Sequence, residues 1–306
     1  MTATIFTGIE CPVERAVLHT LLYFEIFSYP LTAEEAFHYC GESGVAMHEV
    51  TKKLESLVSQ GKVFQFGIYF QTKNDNSWAP ARVECNRLAD QFLPIAHRRA
   101  KLIGNFPFVR AVCVSGSLSK HSMRPDGDID FFVITEPGRL WLARTLLVLF
   151  KKVLLFNSHK YFCVNYFIDT DHLEIEEKNL FTATESVTLL PMYGREVYEA
   201  FYKSNTWAWT QYPNFPKRST NGIPNHVNGW GKSLLEKMLN ARLGAWLDEK
   251  AMLLTLSYWK RKFKHLDDDN FNIALKSRRY VSKHHPLHFQ KRVLDAFEAL
   301  IISDEL

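Results

Sequence analysis

Cysteine is scarce in this chain and irregularly placed. The five, Cys11, Cys40, Cys85, Cys113 and Cys163, are odd in number and include no Cys-x-x-Cys pair. That pattern speaks against a disulfide framework or a thiolate zinc site, and it fits a reducing, cytoplasmic setting. No basic segment followed by an apolar core opens the sequence, so no secretory signal is expected. Long hydrophobic runs are missing as well: the longest apolar stretch, Leu140 to Phe156, is interrupted by Arg144, Lys151 and Lys152. It reads as a buried helix rather than a membrane span, and no membrane partner is expected. Charge of one sign is in small excess, since a net charge of +4 over 306 residues permits a polyanionic partner without demanding one. The histidines show no metal-ligand spacing, and neither repeats nor low-complexity tracts occur. What remains is the composition of a globular protein long enough for two or three domains.

The informative stretch is Val112-Cys113-Val114-Ser115-Gly116-Ser117-Leu118-Ser119-Lys120, followed by Asp128-Ile129-Asp130-Phe131-Phe132-Val133-Ile134. A strand that ends at Gly116 lets the backbone turn sharply and approach a ligand closely, and Ser117 adds a hydroxyl there. Residues two apart in a strand share a face, so Asp128 and Asp130 project together while Ile129 turns into apolar packing. Two carboxylates on one face suit a hard cation such as Mg²⁺ or Mn²⁺, completed by substrate phosphates. Lys120, His121 and Arg124 lie in the loop between the two halves, with Lys120 favoured for a phosphate contact.

These residues resemble the signature of the nucleotidyltransferase superfamily typified by DNA polymerase beta: a Gly-Ser turn, then an Asp-hydrophobic-Asp on the following strand. The resemblance covers roughly residues 107 to 168. It implies that Gly116 and Ser117 hold a nucleoside triphosphate and that Asp128 and Asp130 bind the metal. It also implies a third carboxylate on the next strand, Tyr161 to Ile168, where this chain has Asn165, an uncharged amide that can offer a carbonyl oxygen but cannot take a proton. Asp169 and Asp171 follow, in an expected solvated hairpin running to Glu176.

Before this core, helices are expected over Val13 to Phe27, from a Thr32/Glu35 capping box, and over Ala46 to Gln60. Two short strands about Gly67 follow. Three helices and a hairpin look like a winged helix-turn-helix, whose third helix would present Lys52, Lys53 and His48 to DNA; such modules also dock proteins. A basic helix, Ala79 to Gly104, with a break or bend at Pro94, leads into the first core strand. The core itself reads as strand, crossover, strand, crossover, strand, with Leu140 to Phe156 as the second crossover and Thr182 or Thr184 able to cap a later helix. Trp207 to Gly231 is dense in Pro, Asn and Gly and reads as a linker or surface loop. The remainder reads as helical, with basic residues around His284, His285 and His288 and an interruption at Asp267, Asp268 and Asp269.

The expected fold class is α+β, divided as a winged helix (residues 1–76), a nucleotidyltransferase-like core with a mixed sheet (77–206), a linker (207–231) and a helical region (232–306). The expected function is metal-dependent transfer of a nucleoside monophosphate from a triphosphate to an unidentified acceptor, with Asp128, Asp130 and Asn165 at the catalytic centre. The alternative is a nucleotide-sensing or DNA-binding regulator without turnover.

Overall fold

The computed structural model describes residues 11–154, 160–226, 229–240, 242–264, 266, 271, 275–284 and 289–304. The expectations for Phe156, Asn228, Asp267, Asp268, Asp269, His285 and His288 lie outside these residues. The chain is mixed α+β. At its N-terminal end, α1 (Pro12–Glu25), α2 (Ala33–His38) and α3 (Met47–Ser59) pack around Val17, Leu18, Ala36, Val50, Leu54 and Leu57, all fully buried. The capping box at the start of α2 is formed as its sequence predicts: Glu35 N–H donates to Thr32 Oγ1 (3.2 Å) and Thr32 N–H to Glu35 Oε2 (2.9 Å). The short strands β1 (Leu31–Thr32), β2 (Phe64–Phe66) and β3 (Tyr69–Gln71) make a small antiparallel sheet in the order β1-β3-β2.

The helix α4 (Trp78–Gly104) continues through Pro94, so the proline does not break it. It leads into β4 (Val109–Ser115), the one-turn helix α5 (Gly116–Ser119), β5 (Asp130–Thr135), α6 (Leu140–Leu154) and β6 (Cys163–Asp169). Then come α7 (Leu180–Thr188), β7 (Leu190–Tyr193), α8 (Arg195–Ser204), α9 (Thr206–Gln211), α10 (Trp230–Leu239), α11 (Arg242–Lys262), β8 (Ser277–Arg278), β9 (Val281–Lys283) and α12 (Phe289–Asp304). Six strands form one mixed sheet in the order β7-β4-β5-β6-β9-β8, in which only β5 and β6 are parallel. The first crossover expected in the core is therefore absent: β4 and β5 pair antiparallel through the loop 120–129, and only β5-α6-β6 is a crossover unit.

Period-two alternation sorts the sheet residues. Val112, Val114, Phe131, Val133 and Phe167 pack against Phe92, Ala96, Ala100 and Ile103 of α4 and Trp141 and Leu147 of α6. Cys113, Phe132, Ile134 and Ile168 face the other way, toward Tyr198 and Phe201 of α8. Asp130 is in phase with this second set, at the strand's first residue, where the cover is incomplete.

Four further expectations are corrected. The stretch 170–179 is irregular rather than a hairpin, and Asp169 is buried, its Oδ1 accepting from the backbone N–H groups of Asp171 and His172. Asn179, not Thr182 or Thr184, caps α7, with Thr182 completing the box. The region expected to be loop from Trp207 opens with α9, whose Ala208, followed by Tyr212, joins the core of the N-terminal helices. The C-terminal part is not all helical: β9 pairs with β6 and extends the sheet, while α10 docks through Lys232, whose Nζ donates to the carbonyls of Gly104 (2.8 Å) and Val109 (2.7 Å).

The N-terminal helices do not stand apart from the sheet. Arg82 of the basic helix α4 is buried: its guanidinium donates to Pro30 O (2.6 Å), pairs with Glu35 and lies 3.7 Å from the Tyr29 ring centroid. Arg82→Met keeps the bulk but leaves the Pro30 carbonyl and Glu35 without their donor. It is expected to lower stability by about 2 kcal/mol, the Glu35 partner being partly solvated. Urea unfolding measures this, and an unchanged midpoint would show that the guanidinium contributes nothing.

Candidate functional site

The site forms where β4 ends against β5. The register pairs Ser115 with Asp130, which brings the next residue, Gly116, over the Asp130 carboxylate. Gly116 has φ +67°, and a Cβ there would lie 2.8 Å from Asp130 Oδ2. Both conditions favour glycine, because any side chain would be strained by the backbone and would push the carboxylate aside. Ser117 is exposed just beyond the bend, and Ile129 is fully buried between the two aspartates. Its N–H and C=O bond to the Lys160 carbonyl (2.9 Å) and the Cys163 N–H (3.1 Å), which fixes the alternation ahead of the strand and leaves Asp128 partly exposed.

Asn165 reaches Asp130 through a β-bulge. Phe131 pairs with Val164 and Phe132 with Tyr166, so Asn165 is the extra residue on β6 and its side chain is turned aside. Its Nδ2 donates to Asp130 Oδ1 (2.6 Å), and its Oδ1 accepts from Cys163 Sγ (3.1 Å). The amide thus presents its donor to the carboxylate, while its carbonyl oxygen is engaged by the Cys163 thiol. Cys163 is buried, which pushes its thiol up to about 12.

Sequence reasoning missed Glu185. It is the only charged residue in α7, an otherwise apolar and hydroxyl-bearing helix, and that isolation was the available signal. Its Oε2 accepts from Gly116 N–H (3.2 Å) and its Oε1 from Lys120 Nζ (2.6 Å). Lys120 also donates to Gly116 O (3.1 Å), and its own carbonyl accepts from Tyr29 Oη (2.7 Å).

Two cavities meet here. One, of about 230 Å³, contains Asp130 and Asn165 among the aromatic walls Phe132, Tyr166, Phe181 and Phe201, with Lys283 at its edge. The other, of about 350 Å³, contains Ser117, Lys120 and Arg124, and its far wall is Tyr23, Phe24, Phe27 and Tyr29 of the N-terminal unit. Gly116, Glu185 and Phe289 border both. The sequence-predicted Gly116, Ser117, Lys120, Asp130 and Asn165 are thus brought together, with Asp128 close enough for its charge to act on Asp130. Lys52 and Lys53 border neither cavity. Lys52 is exposed, and Lys53 pairs with Glu14 at 3.4 Å.

Burial holds the Asp130 carboxyl up at about 7, and the charges of Asp128 and Glu185 add to this. Among the described residues no cluster of three or more His, Cys, Asp or Glu stands at metal-holding spacing. A cation here would rest on Asp128 and Asp130 and take its remaining oxygens from a ligand. Carboxylate oxygens are hard ligands of the kind Mg²⁺ or Mn²⁺ takes, so the chemistry of these two residues is compatible with either ion.

An acid whose folded value is raised binds protons better in the folded state. Its contribution therefore favours folding below the unfolded value near 4 and is lost as pH rises toward 7. In metal-free buffer, Asp130→Asn is expected to be more stable than wild type at pH 8, by on the order of 3 kcal/mol, with the difference vanishing near pH 4. Thermal melts across this range measure it, and a variant less stable at pH 8 would show that the carboxylate is not destabilised.

No protein-family model matches the chain, and neither a curated protein nor a solved structure matches it.

Proposed function

We propose that this protein is a metal-dependent nucleotidyltransferase, moving a nucleoside monophosphate from a nucleoside triphosphate to an acceptor hydroxyl with release of pyrophosphate. The observation that carries this reading is the contact between the Gly116 bend and Asp130, in a strand-turn-strand unit whose second strand is preceded by Asp128. In this reading the triphosphate tail enters the cavity of Ser117, Lys120 and Arg124, where a hydroxyl and two cations suit phosphate oxygens. The acceptor enters the aromatic-walled cavity on the Asp130 side. Asp128 and Asp130 would hold the cation between them. When bound, it would neutralise charge developing on the transferred phosphorus centre.

The remaining catalysis is positioning. Gly116 admits the ligand because no Cβ intervenes, and the Asn165 amide fixes the orientation of Asp130. Because burial holds the Asp130 carboxyl up at about 7, its anionic form, the one able to hold a cation, gains population as pH rises through neutrality, and activity should rise with it.

The N-terminal unit is read as a winged helix by element order, and as a wall of the nucleotide cavity rather than a DNA reader. Its Tyr23 to Tyr29 segment faces the cavity, and one of the two lysines of its third helix is engaged with Glu14. A second reading, a nucleotide sensor without turnover, is favoured by Asn165, which cannot accept the proton an acid would take at that position.

Asp130→Asn is expected to reduce pyrophosphate release, measured with a panel of labelled triphosphates and Mg²⁺, by about 10³-fold or more while leaving the fold intact. Wild-type release in that variant would overturn the assignment. Tight triphosphate binding by the wild-type chain, with neither pyrophosphate nor labelled acceptor formed, would favour the sensor.

A further inference from the structure

We propose that Glu185 is a built-in stand-in for phosphate, occupying the triphosphate seat until a polyphosphate displaces it. The inference rests on the nucleotide-binding reading above and adds to it how the seat is controlled. Both oxygens of the Glu185 carboxylate are engaged, and by the two donors of the Gly-Ser turn suited to a phosphate oxygen: the backbone N–H of Gly116 (3.2 Å) and the ammonium of Lys120 (2.6 Å). A phosphate oxygen entering there would take over both bonds, so Lys120 exchanges one anionic partner for another and is never left buried without one.

Three features make the exchange practicable. The Glu185 side chain is 29% exposed, so it is not locked into the core. It borders both cavities, which leaves volume on either side for the displaced carboxylate. Ser117 and Arg124 are exposed in the second cavity, available to phosphate oxygens that Glu185 does not reach.

Competition of this kind discriminates among ligands. A single phosphate gains little by replacing a carboxylate that already satisfies the same donors, whereas a triphosphate displaces it and gains the contacts at Ser117 and Arg124 in addition. The seat therefore selects polyphosphates over monophosphates, and Glu185 lowers the affinity for both.

The test is titration calorimetry with inorganic tripolyphosphate in Mg²⁺-free buffer, so that a cation at Asp128 and Asp130 does not contribute. Glu185→Ala and Glu185→Gln are both expected to bind about tenfold more tightly than wild type, and adding Lys120→Ala to Glu185→Ala should remove the gain. The Gln variant keeps the side-chain volume, and a melt matching wild type shows that it folds. Unchanged affinity in both variants, or no binding in either, overturns the proposal. The two readings fail separately. Tighter binding by the variants with no nucleotide transfer by wild type would sink the transferase and keep the stand-in, while transfer by wild type with unaltered tripolyphosphate affinity would do the reverse.

Discussion

Everything at the site follows from one close approach, that of the Gly116 backbone to the Asp130 carboxylate. The antiparallel register of β4 and β5 puts Ser115 opposite Asp130, and the left-handed turn at the next residue folds the chain back over the oxygen. That turn costs little only because the residue is glycine. It removes Asp130 from water on one side, while the bulged Asn165 closes another by hydrogen bonding. A carboxylate so enclosed and beside a second aspartate is destabilised as an anion, which is why its carboxyl keeps its proton up to about pH 7.

The charges around it are arranged asymmetrically. Glu185 is neutralised by Lys120 and by a backbone N–H, whereas Lys120 is too weak an influence on Asp130 to offset burial and two acidic neighbours. The basic groups therefore gather on the Ser117 side of the Gly116 bend and the raised carboxyl on the other. The N-terminal helices make the far wall of the cavity that holds Ser117 and Lys120, and the Arg82 guanidinium together with the Tyr29 hydroxyl ties them to the core. Their burial against α7, α9 and α12 gives them a structural part in the site whatever else they bind.

Much of this arrangement was legible from local pattern. The alternating runs at β4, β5 and β6, the Thr32 and Glu35 cap, and the glycine bend are local in sequence, and their chemistry dictates their conformation. What escaped reading depends on distant partners. Glu185 meets Gly116 across 69 residues, and Arg82 meets Pro30 across 52. The three-residue strand β9 exists because β6 on one side and β8 on the other offer it partners, since so short a segment has little strand tendency of its own. Proline-rich composition suggested loop from Trp207, yet the aromatic residues that precede the prolines form a helical turn against the N-terminal core. Antiparallel pairing of β4 with β5 was misread because a loop long enough to reverse the chain looks, in sequence, like one long enough to cross over.

The proposed function requires one cation on Asp128 and Asp130, facing a polyphosphate on the Ser117 side of the bend. A crystal structure of the chain with a non-hydrolysable nucleoside triphosphate and Mg²⁺ tests it most directly. The expected result is density for the metal touching both aspartates, with the phosphate tail running past Gly116 toward Lys120. A triphosphate bound elsewhere, or seated there with neither aspartate within metal-ligand distance of it, would contradict the account.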